Sequence, residues 1–175
     1  MWSVYFAATR ESIARDYHPD LIERWAPHDK DLKGWVNRLA QKNPFVAISD
    51  GQIVGLAEID GDGFIDYFYV HPRWQGKGVG KALLATVECE AAKSGARAIF
   101  ADVSVTAKSF FLSQGFCITE AKSNVILAIL HRTSGWKSVF PANQHVQPDP
   151  AITSLFHAER PWHGAAEVRR SVITK

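Results

Sequence analysis

Apolar positions along the first 44 residues recur at helical spacing. Trp2, Phe6, Thr9 and Ile13 fall four, three and four residues apart, which predicts a helix almost from Met1. Residues 17–27 predict a turn, a short helix opened near Pro19 and a stop at Pro27. Asp29 or Asp31 can cap a third helix carrying Leu32, Trp35, Val36 and Leu39 on one face, ended by Asn43-Pro44. The period then shortens. Phe45–Ile48, Ile53–Ile59 and Phe64–Val70 read as strands separated by the turns Ser49-Asp50-Gly51-Gln52 and Asp60-Gly61-Asp62-Gly63. A helix follows from Val79 to Lys93, with Leu83, Leu84, Val87 and Ala91 apolar. Ala98–Val103 is a strand with apolar residues on both faces, Thr106–Gln114 a short helix closed by Gly115, and Cys117–Leu130 holds further strand. Helices, antiparallel strands and a strand–helix–strand unit define a mixed α/β (α+β) class.

Charge divides the chain unevenly. Residues 1–130 carry 14 Lys and Arg against 15 Asp and Glu, whereas 131–175 carry 6 against 3 and hold four of the eight prolines. A net charge of +2 gives no argument for nucleic acid, and the short basic tail with Arg160, Arg169, Arg170 and Lys175 reads as solvated. No apolar run reaches the roughly 20 residues of a membrane span, and the N-terminus lacks a basic signal-peptide region. A cytoplasmic location is the expectation. Cys89 and Cys117 are too few for a disulfide framework or a four-cysteine zinc site, and read as buried thiols. The seven histidines show no metal-binding spacing, so no metal is expected.

Candidate chemistry concentrates at Val70-His71-Pro72-Arg73-Trp74-Gln75-Gly76-Lys77-Gly78-Val79-Gly80-Lys81, where a strand feeds a glycine-spaced loop that opens a helix. Bare N–H groups, the helix dipole and Lys77 and Lys81 suit a pyrophosphate. A Walker A loop is excluded because Ala82 stands where Ser or Thr is required, and a dinucleotide fingerprint because Lys81 replaces a glycine.

The stretch Gln75-Gly76-Lys77-Gly78-Val79-Gly80 resembles the coenzyme A loop of the GNAT superfamily of N-acetyltransferases. Ala107-Lys108-Ser109-Phe110-Phe111-Leu112-Ser113-Gln114-Gly115-Phe116 is similar to that family's later helix, in the right order. The resemblance covers roughly residues 2–130. Within the family, Tyr17–Pro27 and Val105–Phe111 look most like the YafP-like branch. The fold implied is a mostly antiparallel sheet flanked by helices around a strand–helix–strand acetyl-CoA-binding core.

The resemblance further implies that an amine attacks the thioester of acetyl-CoA directly. The backbone of Phe68, Tyr69 and Val70 would grip the pantetheine, one of their N–H groups polarising the carbonyl. The loop Gln75, Gly76, Lys77, Gly78, Val79, Gly80 and Lys81 would hold the pyrophosphate. Asp66, expected on the face shared by Phe68 and Val70, or Glu58 on the neighbouring strand would be the base. The family's usual acidic tyrosine falls on Phe111, which cannot donate a proton, and Ser104 stands where many members have asparagine. Tyr17, Trp25 and Trp35 are candidates to wall a pocket for a small-molecule amine.

Both ends depart from the family pattern. Family members begin with an edge strand, for which the first helix leaves no room. Residues 1–140 are expected to form the acetyltransferase domain, with 141–175 a tail carrying helices from Asp149-Pro150 and from His163-Gly164. That tail is expected to pack back on the domain, or to join a second subunit in a homodimer, covering surface left by the missing strand. The competing reading is a catalytically weak acyl-CoA-binding or interaction module.

Overall fold

A computed structural model of the chain describes residues 1–29, 31–121, 126–131 and 167–170. Helix α1 (Trp2–Ala7) continues into a π-helical turn (Ala8–Ser12) and a 3-10 turn (Ile13–Arg15). Its buried residues are Val4, Ala8, Thr9 and Ser12. Helix α2 (Pro19–Trp25) starts at a proline, as its fixed φ favours, and α3 (Leu32–Lys42) is capped by the Asp31 carboxylate accepting from the Lys33 N–H. Asn43 ends α3 in the left-handed conformation. Strands β1 (Phe45–Ser49), β2 (Gln52–Ile59) and β3 (Phe64–Val70) form an antiparallel meander. After a 3-10 turn (Pro72–Trp74) come α4 (Val79–Ser94), β4 (Ile99–Ser104), α5 (Val105–Ser113), β5 (Cys117–Ala121), β6 (Ile126–His131) and β7 (Glu167–Arg170).

The strands form one sheet in the order β5-β6-β4-β3-β2-β1-β7. Every pairing is antiparallel except β3–β4, the two strands joined through α4. The helix α4 buries Val79, Leu83, Leu84, Val87 and Ala91 on one face of the sheet, against Phe45, Val54, Ala57 and Ile65. On the other face Val4 of α1 and Trp35 and Leu39 of α3 pack on Val46, Leu56 and Tyr67. Each fully buried side chain of this kind contributes about 1.5–3 kcal/mol.

Strand β4 carries apolar residues on both faces but buries only Ile99, Ala101 and Val103, with Phe100 exposed beside Asp102. Two expectations change. Cys89 and Cys117 are exposed rather than buried, because Cys89 lies off the Leu83, Val87 and Ala91 face of α4 and Cys117 is on β5, the last strand in the sheet order. The helix expected after His163 gives way to β7, which pairs antiparallel with β1 from Phe45↔Arg170 to Ile48↔Glu167. Val168 packs on the core, and the Arg170 guanidinium sits 4.5 Å over the Phe45 ring and pairs with Glu90 of α4. Tertiary pairing to an open sheet edge outweighs local helix propensity here. The helix expected from Asp149 lies outside the described residues.

Parallel pairing of β3 with β4 covers only Phe64↔Phe100 and Ile65↔Ala101. Its start is fixed at Gly63, whose carbonyl accepts from the Phe100 N–H at 3.0 Å. Gly63 has φ +96°, and a Cβ there would lie 2.0 Å from the Ala98 carbonyl oxygen. No side chain fits between the backbones. Gly63→Ala is expected to destabilise the protein by more than about 1 kcal/mol, the usual glycine-to-alanine scale in strained backbone. Thermal unfolding checks this, and an unchanged midpoint contradicts it.

Candidate active site

Beyond Ile65 and Ala101 the paired strands separate, and a cavity of about 610 Å³ opens between them. Its walls include Asp66, Phe68, Tyr69 and Val70 from β3, and Ala101 to Ser104 from β4. The strand register decides which backbone groups face it. The His71 N–H donates to the Val54 carbonyl at 2.9 Å, and Tyr69 and Tyr67 lie opposite Leu56 and Glu58. By antiparallel alternation, residues 67, 69 and 71 bond toward β2, while the N–H and C=O groups of Phe68 and Val70 point toward the cavity. The Val70 carbonyl accepts from Gln75 Nε2 at 3.1 Å, and the same Nε2 donates to Ser12 Oγ at 3.0 Å. Gln75 thus ties the glycine loop to β3 and to the π-turn of the first helix.

The loop itself is a cradle of backbone. Gly76 and Gly78 have φ of +73° and +85°, a left-handed turn that brings successive N–H groups onto one side. The first N–H groups of α4 lack intrahelical partners, and its first turn holds no acidic residue. Gln75, Gly76, Gly78, Gly80 and Lys81 line the cavity. Val79 does not, because its side chain is core, and Lys77 does not, because its ammonium lies 5.0 Å over the Trp74 ring. Only their backbone is available to the cradle. An extended strand-like ligand with a terminal anion fits these donors: free strand edge at one end, cationic loop at the other.

At the floor, Phe68 stacks on Phe110 at 5.6 Å and meets Phe111 at 5.2 Å, with Phe111 also against Phe116. Phe111 is buried, and offers an apolar wall where a phenol was the family expectation. The Ser104 hydroxyl caps α5, accepting from the Ala107 N–H at 3.2 Å, and also lines the cavity.

The two carboxylates expected as bases meet at a residue the sequence reading missed. Register shifts between Glu58↔Tyr67 and Ile59↔Ile65, so Asp66 is the extra residue of a β-bulge. Strand parity therefore reverses. Ile65 faces the α4 side with Phe68 and Val70, while Tyr67 and Tyr69 face the α1–α3 side. Asp66 does not share the face of Phe68 and Val70 as simple alternation predicts. Its carboxylate lies 2.8 Å from Lys42 Nζ, at the end of α3, and the same ammonium lies 3.4 Å from Glu58. Glu58 is 3% exposed and Asp66 40%. Of the two, Asp66 lines the cavity. Burial pushes the Glu58 carboxyl above its ordinary pKa despite the opposing pull of Lys42. Burial draws the Lys42 ammonium down, but the two carboxylates outweigh it and raise it overall.

Tyr17 and Trp25 line the cavity, their rings 5.1 Å apart. The Tyr17 hydroxyl accepts from the Val105 N–H at 2.9 Å, and so braces α5. Trp35 does not reach the cavity: at 3% exposure it is core, set edge-on to Trp2 at 5.3 Å. Its helical spacing fits a core stripe and a pocket wall equally well, and α3 packing selects the core. Tyr5 and Tyr69 take the wall position instead, with ring centroids 4.8 Å apart and the Tyr5 hydroxyl donating to the Trp25 carbonyl at 2.9 Å. Burial pushes Tyr5 up to about 12 and also raises Tyr69, so both phenols stay neutral. The helical period at Thr9 could have flagged the π-turn beside Ser12; nothing local flagged Lys42.

A mixed sheet that splays beside a helix-opening glycine loop is the architecture of an acyl-CoA-dependent acetyltransferase. The chain belongs to the GNAT family of acetyltransferases, since residues 13–125 match the Acetyltransferase (GNAT) domain model. It is 32% identical over 115 residues to the uncharacterized N-acetyltransferase YafP of Escherichia coli K12, covering 65% of this chain and 71% of that one. It is 34% identical over 93 residues to an aminoglycoside N(6')-acetyltransferase type 1 of Stenotrophomonas maltophilia, covering 45% and 61%. The GCN5-related N-acetyltransferase structure from Rhodopseudomonas palustris superposes with a TM-score of 0.69 at 26% identity, covering 75% of this chain and 86% of that one. A PaiA N-acetyltransferase from Thermoplasma acidophilum, solved with coenzyme A, shares the fold at a TM-score of 0.63 and 20% identity, covering 75% and 89%. The protein is an N-acetyltransferase. Among the described residues no helix is long and apolar enough to cross a membrane.

Glu58 supplies a pH test of the site. Its raised folded pKa makes a contribution to stability that is fully present below the ordinary value of about 4.5 and lost as pH rises through the folded value. Glu58→Gln removes that titration. Wild type is expected to lose stability relative to the variant across this window, at about 1.4 kcal/mol per unit by which the pKa is raised. Urea unfolding at stepped pH measures the difference, and parallel pH slopes contradict it.

Proposed function

We propose that the protein transfers the acetyl group of acetyl-CoA to a primary amine of a small-molecule acceptor by direct attack. The observation that carries this reading is the pair of backbone N–H groups at Phe68 and Val70, turned from β2 toward the cavity beyond the last β3–β4 pair and continuous with the cradle at the start of α4. When bound, acetyl-CoA supplies an activated thioester. Phe68 and Val70 hold its pantetheine as an added strand, and one of their N–H groups polarises the thioester carbonyl. The N–H groups from Gly76 to Lys81, with the Lys81 ammonium, hold the pyrophosphate. Tyr69 contributes its ring to the cavity wall rather than its backbone.

Asp66 is the general base that geometry favours, because it combines a place in the cavity with partial exposure. Glu58 acts behind it, through Lys42. Tyr5, Tyr17, Trp25 and Tyr69 wall the acceptor end. Phe111 offers no proton to the leaving sulfur, so the departing thiolate takes its proton from water. Because a CoA thiolate is a fair leaving group, turnover survives this loss. The weak-module reading draws on the same Phe111, and thiol release separates the two.

Calorimetric titration with acetyl-CoA, followed by free-thiol release across an amine panel, tests the proposal. Binding with turnover supports it, binding without turnover on any amine favours the module, and no binding overturns both. Asp66→Asn is expected to lower kcat/KM about 10²–10⁴-fold, the range of a lost general base, while leaving acetyl-CoA affinity unchanged. An unaltered kcat/KM removes Asp66 from the role.

A further inference from the structure

The charge cluster beside the acceptor end does not balance. Lys42 carries one positive charge between the carboxylates of Glu58 and Asp66, and Asp60 adds a further negative field at Glu58. Arg38, one turn earlier on α3, acts on the phenols of Tyr5 and Tyr67. Glu58 is almost wholly buried, so its only exit from an uncompensated charge is the Lys42 ammonium or a proton. Asp66 differs, because it sits on a bulge, partly exposed, with the cavity in front of it. One ammonium serves two carboxylates, and the more accessible carboxylate can accept a second cation from the cavity side.

We propose that Lys42 is a placeholder: it shares itself between Glu58 and Asp66 until the acceptor's own ammonium reaches Asp66, and then remains with Glu58. This rests on the reading of the cavity as an amine-acceptor site, and it adds a substrate class. The acceptor enters as a cation, with no carboxylate beside its amino group, since that carboxylate would meet the cavity-lining Asp66 as a like charge. Aromatic surface from Tyr5, Trp25 and Tyr69 on the same wall favours the same ligand, because ring faces attract ammonium groups and stack on apolar bodies. Aralkyl and alkyl monoamines fit; α-amino acids do not. Lys42 never touches the reacting atoms, so its part is to position Asp66 and to neutralise Glu58 while Asp66 is engaged.

The placeholder predicts opposite outcomes for two substitutions. Lys42→Met removes the competing ammonium, so a cationic amine should bind Asp66 more tightly. Lys42→Arg offers a planar fork that grips two carboxylates better than an ammonium does, and should bind the amine less tightly. A role confined to holding α3 on the sheet predicts the reverse order, with the arginine variant nearer wild type. The experiment is calorimetry on the full chain, first with CoA alone and then with phenethylamine or phenylalanine added to the CoA-saturated protein. Phenethylamine is expected to bind wild type at least about tenfold more tightly than phenylalanine. Lys42→Met should tighten phenethylamine about three- to tenfold, the scale of a half-exposed ion pair, and Lys42→Arg should weaken it. If Lys42→Met fails to fold, the arginine variant alone decides by the direction of its change. Equal affinity for the two ligands, weaker or unchanged binding by Lys42→Met, or unchanged or tighter binding by Lys42→Arg overturns the placeholder while CoA still binds. The same holds if neither amine binds to the CoA-loaded protein. Failure of CoA itself to bind overturns the acetyl-transfer reading, and this inference with it.

Discussion

Everything distinctive about this site follows from two residue pairs. The parallel contact between β3 and β4 lasts from Phe64↔Phe100 to Ile65↔Ala101 and then stops. A sheet normally satisfies its backbone by pairing each edge with a neighbour, and buried unpaired groups are costly. Here the cost is met on the outer sides: β3 remains bonded to β2, and β4 to β6, through their lengths. The inner edges are left to a ligand. Gly63 holds the apex closed, the bulge at Asp66 begins the opening, and Gln75 bridges the far end to the first helix. The opening is thus a rigid feature between two well-paired half-sheets.

Electrostatics at the cavity are arranged by length as well as by sign. A cradle of N–H groups with Lys81 gathers positive potential at the start of α4, and the Lys42, Glu58 and Asp66 cluster leaves negative potential at the bulge. The two lie at opposite ends of one strand. On the proposed reading, an anionic donor and a cationic acceptor would be sorted to different ends of the same cavity, with their reactive groups meeting between them. Neutral phenols at Tyr5 and Tyr69 fill the interval without adding charge, because burial keeps their protons on. Positioning of this kind can supply several kcal/mol of the barrier reduction in acyl transfer.

Much of the fold is legible in the sequence because its signals are local. Pro19, Asp31 and Asn43 mark helix ends by their own backbone preferences, and Asp50-Gly51 marks a hairpin with both residues at positive φ. The loop at Gln75–Lys81 is legible for the same reason: its chemistry lies in consecutive backbone N–H groups. Other parts were misread where two folds of the chain use one pattern. Trp35 satisfies a helical stripe whether that stripe meets a ligand or a sheet. Residues Glu167–Arg170 alternate too briefly to distinguish helix from strand until an unpaired edge at β1 is present.

What the sequence alone determines is the order of elements from α1 to α5, the glycine-spaced loop and the family, since each rests on contacts between residues close in the chain. The tertiary structure decides the rest. It makes Asp66 the residue that reverses strand parity, brings Lys42 to two carboxylates 16 and 24 positions away, and buries one of them while opening the other to the cavity. No local propensity encodes a shared ammonium. It arises because α3 ends where β2 and β3 bulge, a coincidence of three elements that only packing can enforce.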